Sequence, residues 1–215
     1  MTARALRALL AAALMSVSAA ATATSATPPA ESLNAEARAA VERANAYFNG
    51  VTDMQGEFVQ VGPNGERTNG RFFYSRPGRI RFDYAKPQTL QVVADGKTLA
   101  VRDRKLNTQD VLPLSQTPLR FILADKVNLL RDAKIISVDR MSDMTTIVIE
   151  DRSAVSQGRL SIMFEGADFK LRQWTVTDAQ GLDTTIALYN VEAGKKVDPA
   201  TFAIRYERQM DPMDR

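Results

Sequence analysis

The 215-residue sequence predicts a mainly β (α+β) fold: one large, strongly curved antiparallel sheet with helices over its concave face. Three observations lead there. Beyond residue 50, apolar side chains recur with a period of two, in short runs about ten residues apart. Turn-forming segments separate these runs. Helical patterning is confined to one segment at the start and one in the middle, which argues against a doubly wound sheet.

The elements follow in chain order. Residues 1–23 read as a secretory signal peptide. Arg4 and Arg7 form a basic head, an uncharged apolar run follows from Leu9, and Ala19, Ala21 and Ala23 offer small-residue cleavage sites. The run is too short and too alanine-rich for a good membrane span. Residues 24–31, with two prolines, read as a flexible leader, and residues 32–215 as one domain without internal repeats. SLNAEARAAVERANAYFNG reads as a helix, capped by Ser32 or Asn34 and ended by Gly50. Its Ala37, Val41, Ala44 and Phe48 share one face.

Five strands are expected next, in GEFVQV, GRFFYS, RIRFDY, TLQVVAD and TLAVRD. A second series comprises KIISVDR, TTIVIED, GRLSIMF, KLRQWTVTD, LDTTIALYN and FAIRY. Between the two, LSQTPLRFILADKVNLL suits a short helix built on Leu119, Ile122, Leu123 and Val127. Pro118 fits its first turn, and Ser115 or Thr117 its cap.

Composition narrows the function. The chain holds 28 basic and 25 acidic residues. Removing residues 1–23 takes away two arginines and no acid, leaving a net charge of 26 − 25 = +1. No broadly basic surface results. There is no histidine and no cysteine. That removes the commonest zinc ligands, thiol nucleophiles and a Ser–His–Asp arrangement, along with disulfides and a lipid on an N-terminal cysteine. No SxxK, GxGxxG or P-loop motif occurs. Acids such as Asp53, Glu57, Asp83 and Asp95 fall in turns or on polar strand sides. No catalytic group, metal or cofactor is expected, and an exported chain of this kind suits a bacterial periplasm.

The segment RPGRIRFDY places three arginines among two aromatics. In the strand, Ile80, Phe82 and Tyr84 share one face, while Arg79, Arg81 and Asp83 share the other, expected to meet solvent. A single-strand nucleic-acid platform needs cations and aromatics on the same face, so nucleic acid is not the expected partner. Arg76 differs: it precedes Pro77 and Gly78 at a turn on the rim of the concavity. Read from spacing alone, it is either a solvated turn residue or a donor to carbonyls of a covering element.

GRFFYSRPGRIRFDYAKP, VVADGKTLAVRDR, SQTPLRFILAD and KKVDPATFAI occur in this order behind the export signal. Together they resemble the LolA family, periplasmic carriers of lipoproteins between the inner and outer membranes, over roughly residues 34–206. The resemblance implies an unclosed β-barrel with a helical lid. It also implies that Arg76, by its place in SRPGRIRFDY, bonds to the lid and helps close the cavity. Acylated lipoproteins are then the cargo and the inner-membrane Lol ABC transporter the donor. Delivery is to an outer-membrane acceptor or to the outer membrane directly, and the carrier is expected to be a monomer. A periplasmic sensing domain on the same half-barrel is the alternative.

Candidate acyl-chain contacts are Ile80, Phe82, Tyr84, Leu90 and Val92 from adjacent strands. Leu119, Ile122 and Leu123 add to them from the lid, and Trp174 from the far strands. Each is equally suited to ordinary core packing. Sheltering hydrocarbon is worth about 0.8 kcal/mol per methylene, so three chains with some 45 methylenes carry roughly 35 kcal/mol. A carrier therefore needs loading by another machine and a lid that competes with lipid for the same apolar surface.

Overall fold

A computed structural model describes residues 33–152 and 158–206. The expected signal peptide and leader lie outside the described residues.

Helix α1 spans Ala35–Gly50. The Asn34 side chain accepts from the Ala37 amide at 2.7 Å, satisfying one of the free donors of the first turn. Ala40, Val41, Ala44 and Phe48 form its buried face. Strands β1 (Asp53–Val61), β2 (Arg67–Ser75), β3 (Arg79–Tyr84), β4 (Leu90–Asp95), β5 (Thr98–Asp103) and β6 (Thr108–Pro113) follow as a meander. A 3₁₀ turn at Leu114–Gln116 and two single-turn helices, α2 (Arg120–Leu123) and α3 (Leu129–Asp132), lead into a second meander. It consists of β7 (Ala133–Met141), β8 (Met144–Asp151), β9 (Arg159–Glu165), β10 (Lys170–Thr177) and β11 (Asp183–Ala193).

The eleven strands form one sheet in the order β6-β5-β4-β3-β2-β1-β11-β10-β9-β8-β7. The two meanders meet along the antiparallel β1–β11 pair, and β6 and β7 are the sheet's two ends. The sheet is thus an unclosed barrel. Register shifts at Gln55/Glu57, Ile135/Ser137 and Leu171/Gln173 mark bulges that add local bend and twist. Gly70 makes room on β2: a Cβ there would fall 2.1 Å from the Asp83 carbonyl oxygen and 2.9 Å from the Phe58 ring.

One face of the sheet carries the core. Phe72, Tyr74, Ile80, Ile147, Ile162 and Phe164 are at most 1% exposed. α1 and the segment between the meanders cover them. Phe48 and Phe164 meet edge to face at 5.9 Å, and Phe164 stacks on Phe169 at 4.3 Å.

Three expectations need correction. FAIRY is not a strand; a 3₁₀ turn at Pro199–Phe202 occupies its start, and residues 203–206 join no ladder. Pro199 opens that turn, and the Asp198 side chain accepts from the Ala200 amide. The eleventh strand is β6, in TQDVLP, whose polar residues and proline hid it. Such residues suit an edge strand, where one side needs no ladder partner.

The second correction concerns β3. Arg79 and Arg81 do lie opposite Phe82, but they do not simply face water. The C-terminal 3₁₀ turn packs over them. Arg81 donates to the Thr201 carbonyl at 2.9 Å and pairs with Asp83, and Arg79 lies over the Phe202 ring at 5.5 Å. Phe202 itself is 1% exposed. The Arg79 guanidinium gives the ring a flat partner.

The third correction is the middle helix. It is broken at residues 124–128 rather than continuous, and α2 has no side-chain cap. Thr117 Oγ1 instead donates to the Leu114 carbonyl at 2.9 Å, closing the 3₁₀ turn. The carbonyls that would extend α2 accept instead from Tyr74, Gly78 and Arg76.

Candidate functional site

The β2–β3 turn and the segment around α2 meet through a run of hydrogen bonds. Tyr74, inward-facing on β2, donates its hydroxyl to the Ile122 carbonyl at 2.7 Å. The Gly78 amide donates to the Leu123 carbonyl at 2.7 Å. Arg76 Nη1 donates to the carbonyls of Ala124 at 3.0 Å and Asp125 at 2.8 Å. Four consecutive carbonyls of the covering segment are thus held by one hairpin end. These bonds replace the i→i+4 bonds that would have continued the helix.

Arg76 is itself well placed by the chain around it. Its amide donates to the Thr52 carbonyl at 2.8 Å and its Nε to the Val51 carbonyl at 3.2 Å, just beyond α1. The residue is only 9% exposed. A cation so sheltered, bonded to three carbonyls, gains charge-assisted bonds of about 1.5–3 kcal/mol each. Gly78 has φ +74°, and a Cβ on it would fall 2.5 Å from the Gly96 Cα, so the turn can come this close only with glycine. A cleft of about 450 Å³ opens beside the junction, lined by Pro77, Gly96, Lys97, Leu114, Leu123 and Ala124 among others.

Burial pushes the Tyr74 phenol far above its ordinary value, against a lowering by the nearby Arg76 charge. Its proton therefore stays available for Ile122. Tyr84 is pushed up to about 12 by burial, and its hydroxyl donates to Gln60 Oε1 at 2.6 Å.

The covering segment is also stitched to α1. Asn49 bonds both the amide and the carbonyl of Val127, at 3.0 and 2.8 Å, and Asn45 Oδ1 accepts from the Leu129 amide at 2.9 Å. On the far side, Arg120 of α2 pairs with Asp151 at the end of β8, at 2.7 Å.

The structure brings most of the expected contact residues to one apolar space. Ile80, Phe82, Trp174, Ile122 and Leu123 are buried there, between 0 and 4% exposed. The Phe82 and Trp174 rings approach to 6.1 Å. Phe82 and Val92 are register partners across β3–β4, so they share a face. Tyr84, Val92 and Leu119 are half-buried and pack against the core. Leu90 is half-buried at the start of β4, outside that cluster.

Sequence reasoning did not single out Tyr74, Phe58 or Phe72 as site residues, although their alternation on β1 and β2 was visible. It placed Phe48 on an apolar helix face without assigning it to this space. Asn45, Asn49 and the Arg120–Asp151 pair left no local pattern to find. As it stands, the concave face is occupied by the protein's own side chains.

A family model described as outer membrane lipoprotein carrier protein LolA matches residues 49–205. The chain belongs to the LolA family. An outer-membrane lipoprotein carrier protein of Methylobacillus flagellatus is 31% identical over 122 residues, covering 54% of this chain and 57% of the relative. That alignment spans little more than half of the relative's length. The protein of the same name from Chromobacterium violaceum is 26% identical over 185 residues, covering 80% of this chain and 86% of the relative. A solved LolA superfamily protein from Nitrosomonas europaea shares 9% identity at a TM-score of 0.46, covering 78% of this chain and 97% of that one. The LolA match covers both meanders and the covering segment, which from here on is called the lid. It is a family of carriers, not of enzymes.

Proposed function

We propose that this chain is a periplasmic carrier that shelters the acyl chains of lipoproteins between the sheet and the lid. It takes them from the inner membrane toward the outer one. The observation that carries this reading is the continuous apolar concave face roofed by a lid whose carbonyls are held by Tyr74, Gly78 and Arg76. A lid tied by a few hydrogen bonds can be released without unfolding the sheet. A permanently fused core would not need that.

In this reading the closed state competes with cargo. Lipid binds the open form, so the apparent affinity falls by the fraction of molecules that are open. Arg76 sets that fraction by favouring closure, which keeps hydrocarbon from being held too tightly to be delivered. Ile80, Phe82, Val92, Ile122, Leu123 and Trp174 line the exposed surface once the lid lifts, with Tyr84, Leu90 and Leu119 toward its rim. The sequence has no ATP-binding motif, so loading draws on an outside machine, the inner-membrane Lol ABC transporter. The receiver is an outer-membrane acceptor or the outer membrane itself.

The test is incubation of the purified protein with spheroplasts of its host. Lipoproteins should appear in the soluble fraction as one-to-one complexes with the carrier. Failure to release any lipoprotein, together with no uptake of an acylated peptide, overturns the reading.

A further inference from the structure

We propose that Arg120 and Asp151 form a second lid latch, on the opposite side of the mouth from Arg76. This rests on the carrier reading above, and gives a role to two residues to which neither the resemblance nor the sequence pattern assigned one.

Besides the bonds from Asn45 and Asn49 of α1, the lid is attached to each of the two meanders. Tyr74, Arg76 and Gly78 hold residues 122–125 from the β2–β3 hairpin, in the first meander. Arg120 reaches the other way. Its Nη2 lies 2.7 Å from Asp151 Oδ2, on the last residue of β8 in the second meander. Among the described residues, the two meanders share a ladder only along β1–β11. Residues 120–125 of the lid are therefore tied to both halves of the sheet, by the β2–β3 hairpin on one side and by the end of β8 on the other.

The chemistry suits a latch. The Asp151 side chain is 3% exposed and that of Arg120 is 30% exposed. The guanidinium also lies 4.1 Å from the Phe121 ring centroid, a second contact that holds it in place. Parting the pair draws a guanidinium away from a carboxylate that is nearly out of water, where charges attract more strongly than at an exposed site. Breaking the pair is therefore resisted, and re-forming it is favoured whenever the lid returns. The neighbouring Arg152 secures what must not move. It donates to the carbonyls of Ala133 at 2.9 Å and Leu130 at 3.1 Å, fixing α3 where it runs into β7. The end of β8 thus holds a fixed anchor for α3 and a releasable one for α2.

The test uses Arg120→Gln, Asp151→Asn and Arg120→Lys in the full chain, with Arg76→Leu in parallel. Trp174 is the only tryptophan and is 3% exposed, so its quenching by acrylamide reports opening directly. Arg120→Gln and Asp151→Asn should increase quenching and bind a fluorescent fatty acid about tenfold more tightly. Arg120→Lys should stay near wild type. A merely structural role would lower the thermal midpoint while leaving fatty-acid affinity and quenching unchanged, and that result overturns the latch. If Asp151→Asn does not fold, Arg120→Gln decides, because its side chain is the partly exposed partner. Tighter binding in Arg76→Leu but not in Arg120→Gln rejects the second latch and leaves the carrier reading standing. If even the wild type takes up no fatty acid, the carrier reading falls; unchanged Trp174 quenching in Arg120→Gln would then overturn the latch as well.

Discussion

Nη1 of Arg76 stands 2.8 Å from the carbonyl oxygen of Asp125, 49 residues further along the chain. One side chain on a hairpin turn thereby fixes a loop that the strand pattern alone leaves free. The same nitrogen also reaches the Ala124 carbonyl, so its loss would leave two carbonyls of the lid without their donor.

Arg76→Leu is expected to load normally and release poorly. Losing charge-assisted bonds of about 1.5–3 kcal/mol weakens the closed state. Acyl binding then tightens by roughly 10- to 100-fold, at about 1.4 kcal/mol per decade. Arg76→Lys should be intermediate, because an ammonium keeps the charge and loses the planar fork. The measurement is transfer of a labelled lipoprotein from preformed complexes to outer-membrane vesicles. Wild-type rates in the leucine variant would return Arg76 to an ordinary turn residue.

Phe82→Glu and Arg81→Glu should separate the two faces of β3. The first puts a carboxylate among Phe58, Trp174 and the lid, and should abolish uptake of a fluorescent fatty acid in whatever fraction folds. The second breaks the bond to Thr201 and sets a second acid beside Asp83. It should lower the thermal midpoint and leave uptake intact. Circular dichroism checks folding first; equal uptake defects in two folded variants would falsify the assignment of the faces.

Phe202→Ala addresses the covering of the outer face. Truncating a fully buried phenylalanine costs about 3–5 kcal/mol. Urea unfolding should show that loss, while fatty-acid affinity stays at the wild-type level, because Phe202 lies across the sheet from the lid. A matching change in affinity would mean that the two faces are coupled.

Alkaline pH should weaken the fold through its tyrosines. Burial raises Tyr84 from 10.0 to about 12 and Tyr74 further still. The folded chain keeps these protons where the unfolded chain has lost them. Stability is therefore fully present below pH 10 and declines as pH rises through the window from 10 to about 12. Thermal midpoints measured from pH 8 to 11.5 should fall at the upper end, and Tyr84→Phe should flatten the fall. An unchanged slope would show that Tyr84 is not held neutral.

The sequence by itself determined the features that depend on neighbours along the chain. Asn34 and the apolar spacing of Val41, Ala44 and Phe48 set α1. The alternation in RIRFDY turned Ile80 and Phe82 inward, since a strand's side chains must alternate whatever it pairs with. The resemblance carried by SRPGRIRFDY drew attention to Arg76. Tertiary structure decided the rest, because it brings together residues whose spacing carries no period. Arg81 meets Thr201 across 120 residues, which turned an expected wet face into a packed one and removed FAIRY from the ladders. β6 exists because β5 offers it an edge to pair with, despite a sequence of weak alternation. The middle helix is broken because Tyr74, Gly78 and Arg76 hold the carbonyls it would have used, and a backbone acceptor bonds the donor that folding puts in reach.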